Sequence, residues 1–436
     1  SGKYMLWDES ADSLLVSGDL ASVTAGTSNF VAGVNAGDAI QSGGNYNVAV
    51  GDEAGTAITT GDTNTAVGYA SLAANTTASN NTAVGYQAGT AITTGYQNTA
   101  LGQNALDSTT TANHNTAIGA QTLAANTEGY ANTAVGYNAL CTHTTGNSNT
   151  AVGDNTMRLT TTGTFNVAVG DNALCANTTA SSNVAIGRDA LFANTTANEN
   201  VAVGALALTA NTTGADNVAV GFSALDTNTT GGTNTGMGYL ALAANTTAGS
   251  NTAIGYKSLC TNTTGCRNTA AGTMSLRDNT TGIDNVAVGV CALGKNTEGD
   301  DNIAVGRLAG GCNTTGSSNV SMGSEALCKN TTGTSNTAIG KCALTATTTG
   351  TNNIGIGFGA AKTTTTGIAN VAVGGNSLKL NTTGCYNISI GKDTMEANTE
   401  GCYNVAAGYA ALDANTTASN NVAVGNAALS ANTTAE

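Results

Sequence analysis

An Asn recurs at every seventeenth position from Asn47 through Asn64, Asn81, Asn98 and Asn115 to Asn421, giving 23 copies of one phrase without an insertion or a deletion. The phrase reads N-[TV]-A-[VI]-G-x-x-A-L-x-x-N-T-T-G-x-x, and its positions are called slots 1 to 17, with Asn47 in slot 1. Slot 5 is Gly in every copy, among them Gly51, Gly68, Gly85, Gly102 and Gly119, and slot 13 is always Thr. A strict period of this length marks a repeat architecture. One unit is too small to bury its own apolar face and does so by stacking on its neighbours.

Each slot carries a local expectation. Slots 2 to 4, such as Val201-Ala202-Val203, alternate with period two and predict a short strand, with slots 2 and 4 pointing one way and slot 3 the other. The Gly of slot 5 predicts a corner with positive φ or a close backbone approach. Slots 8 and 9, such as Ala207-Leu208, predict a second short strand, and Asn-Thr-Thr-Gly at slots 12 to 15 predicts a turn. No stretch is left for an uninterrupted helix. The expected fold is therefore all-β: a β-solenoid of 23 coils of 17 residues, with like side chains laddered at ~4.8 Å along a rod of roughly 110 Å. Two β-branched residues and one Leu per coil predict a thin core. The small residues of slots 3 and 8 predict a smooth outer stripe for another chain, and bundling would also protect sheet edges. Gly55 with Ile58, and Gly89 with Ile92, exchange the usual Leu of slot 9 for an apolar slot 12. That exchange predicts a slot 12 able to face inward.

The runs NTAVGYNAL at 132–140 and NVAVGFSAL at 217–225 resemble repeats of bacteriophage tail-fibre proteins. They are also similar to head repeats of trimeric autotransporter adhesins, in which [SN]-x-A-[IV]-G marks coils of a left-handed β-roll. The resemblance spans residues 47–436 and implies left-handed coils in a parallel homotrimeric fibre shaft, located in the virion. It further implies other fibre or virion proteins as partners at the termini, and a host-surface polysaccharide or receptor as the target. The alternative is an extracellular adhesin or glycosylated surface filament of a cell; a depolymerase on a fibre scaffold is a further one. The seventeen-residue coil is longer than that of the adhesin head, and neither a coiled-coil stalk nor a membrane anchor is visible, which favours the phage reading. Ahead of the repeats, KYMLWDES and DSLLVSG predict a β-hairpin connector within residues 1–28, and residues 29–46 read as a degenerate first coil or cap.

Little in the chain points to chemistry. A net charge of −14 opposes binding to a nucleic-acid backbone, and no apolar run is long enough to insert in a membrane. GIGFG at 355–359 is a fragment of a phosphate loop without its following helix. His114 and His143 sit in slots 17 and 12 of different copies, with no partnered nucleophile. The acids Asp52, Asp226 and Glu325 are scattered over variable slots, and Glu128, Glu298 and Glu400 replace Thr in slot 14 several coils apart. The calcium-binding β-roll signature is missing. No catalytic residue, metal site or cofactor is expected.

The ten cysteines show no CxxC or zinc spacing. Cys385 and Cys402 share slot 16 in successive copies, within reach of a disulfide, with free thiols as the alternative in a reducing cytosol. Asn75, Asn177, Asn194 and Asn211 satisfy the N-x-T pattern and would be glycan acceptors in a secreted eukaryotic filament, or else turn residues. The adjacent threonines of slots 13 and 14 would point apart, which argues against an ice-binding array. Slots 6, 7, 10, 11, 16 and 17 carry most of the aromatic and charged diversity, including Tyr86, Lys257, Arg267 and Tyr386. They are the expected outward contact positions.

Overall fold

Each copy of the phrase makes one three-residue strand from slots 2 to 4, and nothing longer. The computed structural model describes residues 4–8, 13–17 and 24–433. The chain divides into two compact units, Ser1–Glu199 and Asn200–Glu436. In the first, strands run from Phe30–Ala32 and Val48–Val50 to Val184–Ile186; in the second, from Val201–Val203 to Val422–Val424. Within each unit successive strands pair in parallel, slot against slot: Thr65 with Thr82, Ala66 with Ala83, Val67 with Val84. The chain is thus an all-β parallel solenoid of seventeen-residue coils, with no helix among the described residues.

Near the start, Tyr4–Asp8 pairs antiparallel with Ser13–Ser17, placing Trp7 opposite Leu14. Residues 1–3, 9–12 and 18–23 of the segment read as a connector lie outside the described residues. The first coil is one residue longer than the others, because Phe30 pairs with Val48 at a separation of 18 while the Asn47 N–H still donates to Asn29 Oδ1 at 2.8 Å.

The interior inverts the expected core. Slot 3 is fully buried: Ala49, Ala83, Ala202 and Ala372 have no exposed surface. The β-branched residues of slots 2 and 4 face outward and are half-buried or exposed, as at Ile254, Ile339 and Ile388. Slots 3 and 8 therefore form no outer stripe; they line the core with Leu of slot 9. The reason is the width of the coil. A methyl added to Gly355, in slot 3, would lie 3.0 Å from Leu344 Cγ of the preceding coil, so the space opposite each Leu admits an alanine and little more. The expected exchange between slots 9 and 12 is present. Ile58 and Ile92 are fully buried, and a methyl on Gly55 or Gly89 would meet the Cδ1 of Ile58 or Ile92 at 2.8 and 3.0 Å.

Slots 8 and 9 form a turn rather than a second strand, because slots 7 and 9 are both left-handed, with φ 54° at Ala70 and 49° at Leu72. A leucine there costs about 1–2 kcal/mol. Complete burial of its side chain, worth about 1.5–3 kcal/mol, offsets that strain. Slot 17 is left-handed as well, at φ 63° for Asn80. These reversals steer the backbone donors. Slots 9, 11 and 13 bond forward to the next coil, as in Leu72 N–H to Ala88 O (3.0 Å), Ala74 N–H to Thr90 O (3.0 Å) and Thr76 N–H to Thr93 O (3.2 Å). Slots 5, 7 and 17 bond back, as in Gly68 N–H to Val50 O (2.8 Å), Ala70 N–H to Asp52 O (2.9 Å) and Asn80 N–H to Asp62 O (3.0 Å).

Gly85 has φ 141°, and a Cβ built on it would sit 2.5 Å from the carbonyl oxygen of Gly102 in the next coil. Its neighbours Gly51, Gly68, Gly102 and Gly119 show the same geometry, with φ between 123° and 138°. Both reasons for glycine operate together at this corner. Gly85→Ala should therefore lower unfolding free energy by at least about 2 kcal/mol. Gly375→Ala, at a slot 6 glycine with nothing within 4 Å of an added methyl, should leave it within about 0.5 kcal/mol. Equal denaturation midpoints for the two variants would refute this account of slot 5.

Candidate functional site

Two buried columns of polar side chains run through the coils. In slot 1 the backbone N–H of each Asn donates to Oδ1 of the Asn one coil earlier, as in Asn64 N–H to Asn47 Oδ1 (2.9 Å) and Asn81 N–H to Asn64 Oδ1 (3.0 Å). The Nδ2 groups donate to the slot 15 carbonyl of their own coil, as in Asn81 to Gly95 at 2.8 Å. In slot 12 the amides stack directly from Asn211 to Asn330, and Asn228 Nδ2 donates to Asn211 Oδ1 at 2.9 Å. The column is interrupted at Thr347, where Asn330 Oδ1 and Thr347 Oγ1 both lack a partner.

This geometry corrects the glycan reading. Asn75, Asn177, Asn194 and Asn211 all occupy slot 12 and have no exposed surface. Asn177 and Asn211 Nδ2 donate to Ala180 O (3.2 Å) and Gly214 O (2.9 Å). A sugar on any of the four would have to occupy the interior of a coil, so the N-x-T pattern here encodes buried amides.

The residues weighed for chemistry are not brought together. His114 lies at the surface, edge-on to Tyr96 with ring centroids 5.3 Å apart. His143 is buried in slot 12 and places Nε2 2.7 Å from Gly146 O, where other coils place an Asn amide. Glu128, Glu298 and Glu400 are exposed. Several other acids are engaged in surface ion pairs, including Arg267 with Asp284 (2.7 Å), Lys379 with Glu396 (2.8 Å), and Arg307 with Glu325. Such exposed pairs are screened by water and contribute little to stability. No group of three or more metal-ligating side chains occurs among the described residues. In GIGFG, Gly355 lies in the core slot and Gly357 at the corner, with φ 131°, and no helix follows. It forms no phosphate cradle.

All ten cysteines are free thiols. Cys385 and Cys402 act as acceptors: the N–H groups of Ile368 and Cys385 donate to their sulfurs at 3.3 and 3.1 Å. In other coils a Ser or Asn side chain does this, as Ser79 does for Asp62 and Asn113 for Tyr96. Most of the slot 13 threonines are similarly occupied, the hydroxyl donating to the carbonyl of the same slot one coil on, as in Thr93 to Thr110 O at 3.1 Å.

The outer surface has two regular features. Aromatic residues stack along the coils: Tyr69 on Tyr86 (5.4 Å), Phe222 on Tyr239 (5.6 Å), Tyr239 on Tyr256 (5.4 Å), and Tyr386 on Tyr403 (5.1 Å). Lys257 stands over Tyr256. Tyr86 and Tyr386 are therefore exposed as expected, but each has one ring face covered by its neighbour. The second feature is the strand face of slots 2 and 4. It contains only Thr, Val, Ile, Leu, Met and Ala in all 23 copies, with Ile254, Met322 and Ile390 between 41% and 47% exposed. Sequence reasoning missed this face because period two fixes the alternation of a strand but not which set points inward. The invariant polar residue at slot 1 was the available signal. Comparison with known proteins finds no matching family model and no matching curated protein.

His143 supplies a test of the buried column. Burial holds its ring below the ordinary value of 6.5, and both His143 Nδ1 and Asn126 Oδ1 lack partners. Below about pH 6.5 the unfolded chain takes up a proton that the folded state resists, so this group's contribution to stability falls as pH drops. His143→Asn would restore a donor to Asn126 Oδ1. It should raise stability by about 1 kcal/mol at neutral pH, and by more as pH is lowered. Denaturation midpoints that differ by a constant amount between about pH 7.5 and about pH 5 would contradict this sign.

Proposed function

We propose that the chain is a structural, non-enzymatic shaft of a bacteriophage tail fibre, assembled from parallel copies of itself through the face of slots 2 and 4. The observation that carries this reading is that face: an outward sheet surface of Thr, Val, Ile, Leu, Met and Ala, free of charge in every copy. An exposed, uncharged face that carries Val, Ile, Leu or Met in nearly every copy marks an interaction site. The partner that fits it is a second copy of the chain. Only a surface with the same rung spacing stays in register with it coil after coil, and the chain's net charge of −14 leaves an uncharged face as the place where two copies approach with least repulsion. Three copies is the number implied by the resemblance to trimeric β-rolls.

The shaft's role is to hold a recognition element at a distance from the particle and to bear load along its coils. The resemblance to tail-fibre repeats supports that placement. The glycosylated-filament alternative loses its support with the burial of Asn75, Asn177, Asn194 and Asn211.

Light scattering should give a particle mass that is a multiple of the 42.6 kDa chain. Replacing Ile254 and Ile339 together by Lys should shift that mass toward a single chain with the far-ultraviolet dichroism unchanged. A wild-type mass of one chain would remove self-association, and a charged variant that still assembles would remove this face. Electron micrographs of the native particle test the placement, which fails if the protein is found on a cell surface instead of a virion tail. Shortening of a host polysaccharide by the purified protein would overturn the non-enzymatic reading.

A further inference from the structure

Two consecutive coils of the second unit carry glycine in slot 10, Gly294 and Gly311, and they open a groove of about 220 Å³ on the outer surface. Its walls include Met274, Leu308, Cys312 and Cys328, with Arg277 and Lys295 beside them. Cys312 occupies slot 11 of one coil and Cys328 slot 10 of the next, and the Cys312 N–H donates to the Cys328 carbonyl at 3.0 Å. A direct backbone hydrogen bond of this kind sets Cα atoms about 5–6 Å apart, the usual separation across a disulfide. Both side chains line the same groove.

We propose that Cys312 and Cys328 form a reactive dithiol that closes into an inter-coil disulfide by exchange with a small anionic disulfide taken up in this groove. Cys312 is exposed and meets the reagent first, whereas Cys328 is half-buried. Burial, and then the nearness of Cys312, push the Cys328 thiol up, so less of it is thiolate and it does not lead the attack on the reagent. In the first step Cys312, as thiolate, attacks one sulfur of the small disulfide. A mixed disulfide forms on Cys312, and one small thiolate leaves and takes up the proton that Cys312 released. In the second step Cys328 gives up its proton and attacks Cys312 Sγ, forming the protein disulfide and expelling the second small thiol. Two protein thiols are oxidised and one small disulfide is reduced to two thiols, with no other redox partner needed. Arg277 is held by Asp278 at 2.6 Å, and the exposed Lys295 is placed to attract carboxylates such as those of oxidised glutathione.

Cys385 and Cys402, the pair that spacing alone favours, are poorer candidates. Each sulfur there already accepts a backbone N–H, and turning the sulfurs toward each other would leave those donors without partners.

The test uses the folded 436-residue chain and oxidised glutathione, followed by alkylation in denaturant, trypsin digestion and mass spectrometry. Cys312 and Cys328 fall in one tryptic peptide, residues 308–329, between Arg307 and Lys329. That peptide should become lighter by two hydrogens and resist alkylation, at least about tenfold faster than any link between Cys385 and Cys402 appears. Cys328→Ser should accumulate glutathione on Cys312, and Cys312→Ser should leave Cys328 reduced. Lys295→Gln should slow the reaction with oxidised glutathione but not with an uncharged small disulfide. Full alkylation of both thiols after exposure, or glutathione persisting on wild-type Cys312, would overturn the proposal. So would cross-linking of Cys385 with Cys402 at the same rate.

Discussion

The hydrogen bond from the backbone of one slot 1 asparagine to the side chain of the one before it governs everything else in the coil. A buried amide without partners costs several kcal/mol relative to water, whereas here Asn98 receives and gives bonds on every side: its N–H to Asn81 Oδ1, its Nδ2 to Ala112 O, and its Oδ1 to Asn115 N–H. Each such bond contributes only about 0.5–1.5 kcal/mol net, but the arrangement requires slot 1 to face inward. Once it does, the pleat sends slot 3 inward and slots 2 and 4 outward. The small core and the uncharged outer strand face are two sides of that one constraint.

The backbone answers the same demand by other means. So short a coil has few regular strand positions, and most of its inter-coil bonds lie outside the strands. Left-handed residues at slots 7, 9 and 17 alternate the direction in which N–H groups point. Bonds therefore run to the coils on both sides along most of the perimeter. The strain is distributed among residues that tolerate it (Asn, Asp and Ser in many copies of slot 17) and among leucines held in place by burial.

Much of this was legible in the sequence. The fixed period, the strand at slots 2 to 4 and the slot 5 corner follow from spacing and from the one residue type that φ near 130° accepts. The inward slot 12 was visible in the paired changes at Gly55 with Ile58 and Gly89 with Ile92. The facing of the strand was misread because a valine is the stronger hydrophobe and an alanine the weaker, and that ranking ignores the space available. Leu344 sits so close to slot 3 that only a small side chain fits. The second strand at slots 8 and 9 failed for a different reason: Leu in a left-handed conformation leaves no compositional trace. The thiol pair at Cys312 and Cys328 was hidden because its members occupy different slots. Only the diagonal bonding between coils makes neighbours of residues one position short of a full period apart.

A fixed coil length with bonding confined to adjacent coils has a consequence for how such a chain changes over time. A duplication or loss of one whole period, wherever it falls in phase, joins a slot to its equivalent and rebuilds the same neighbours on both sides. The axial dimension then shifts by one rung, ~4.8 Å, while the cross-section and the outward face are left as they were. Length in this protein is a discrete variable, adjustable one whole period at a time while each remaining coil keeps its fold and its neighbours.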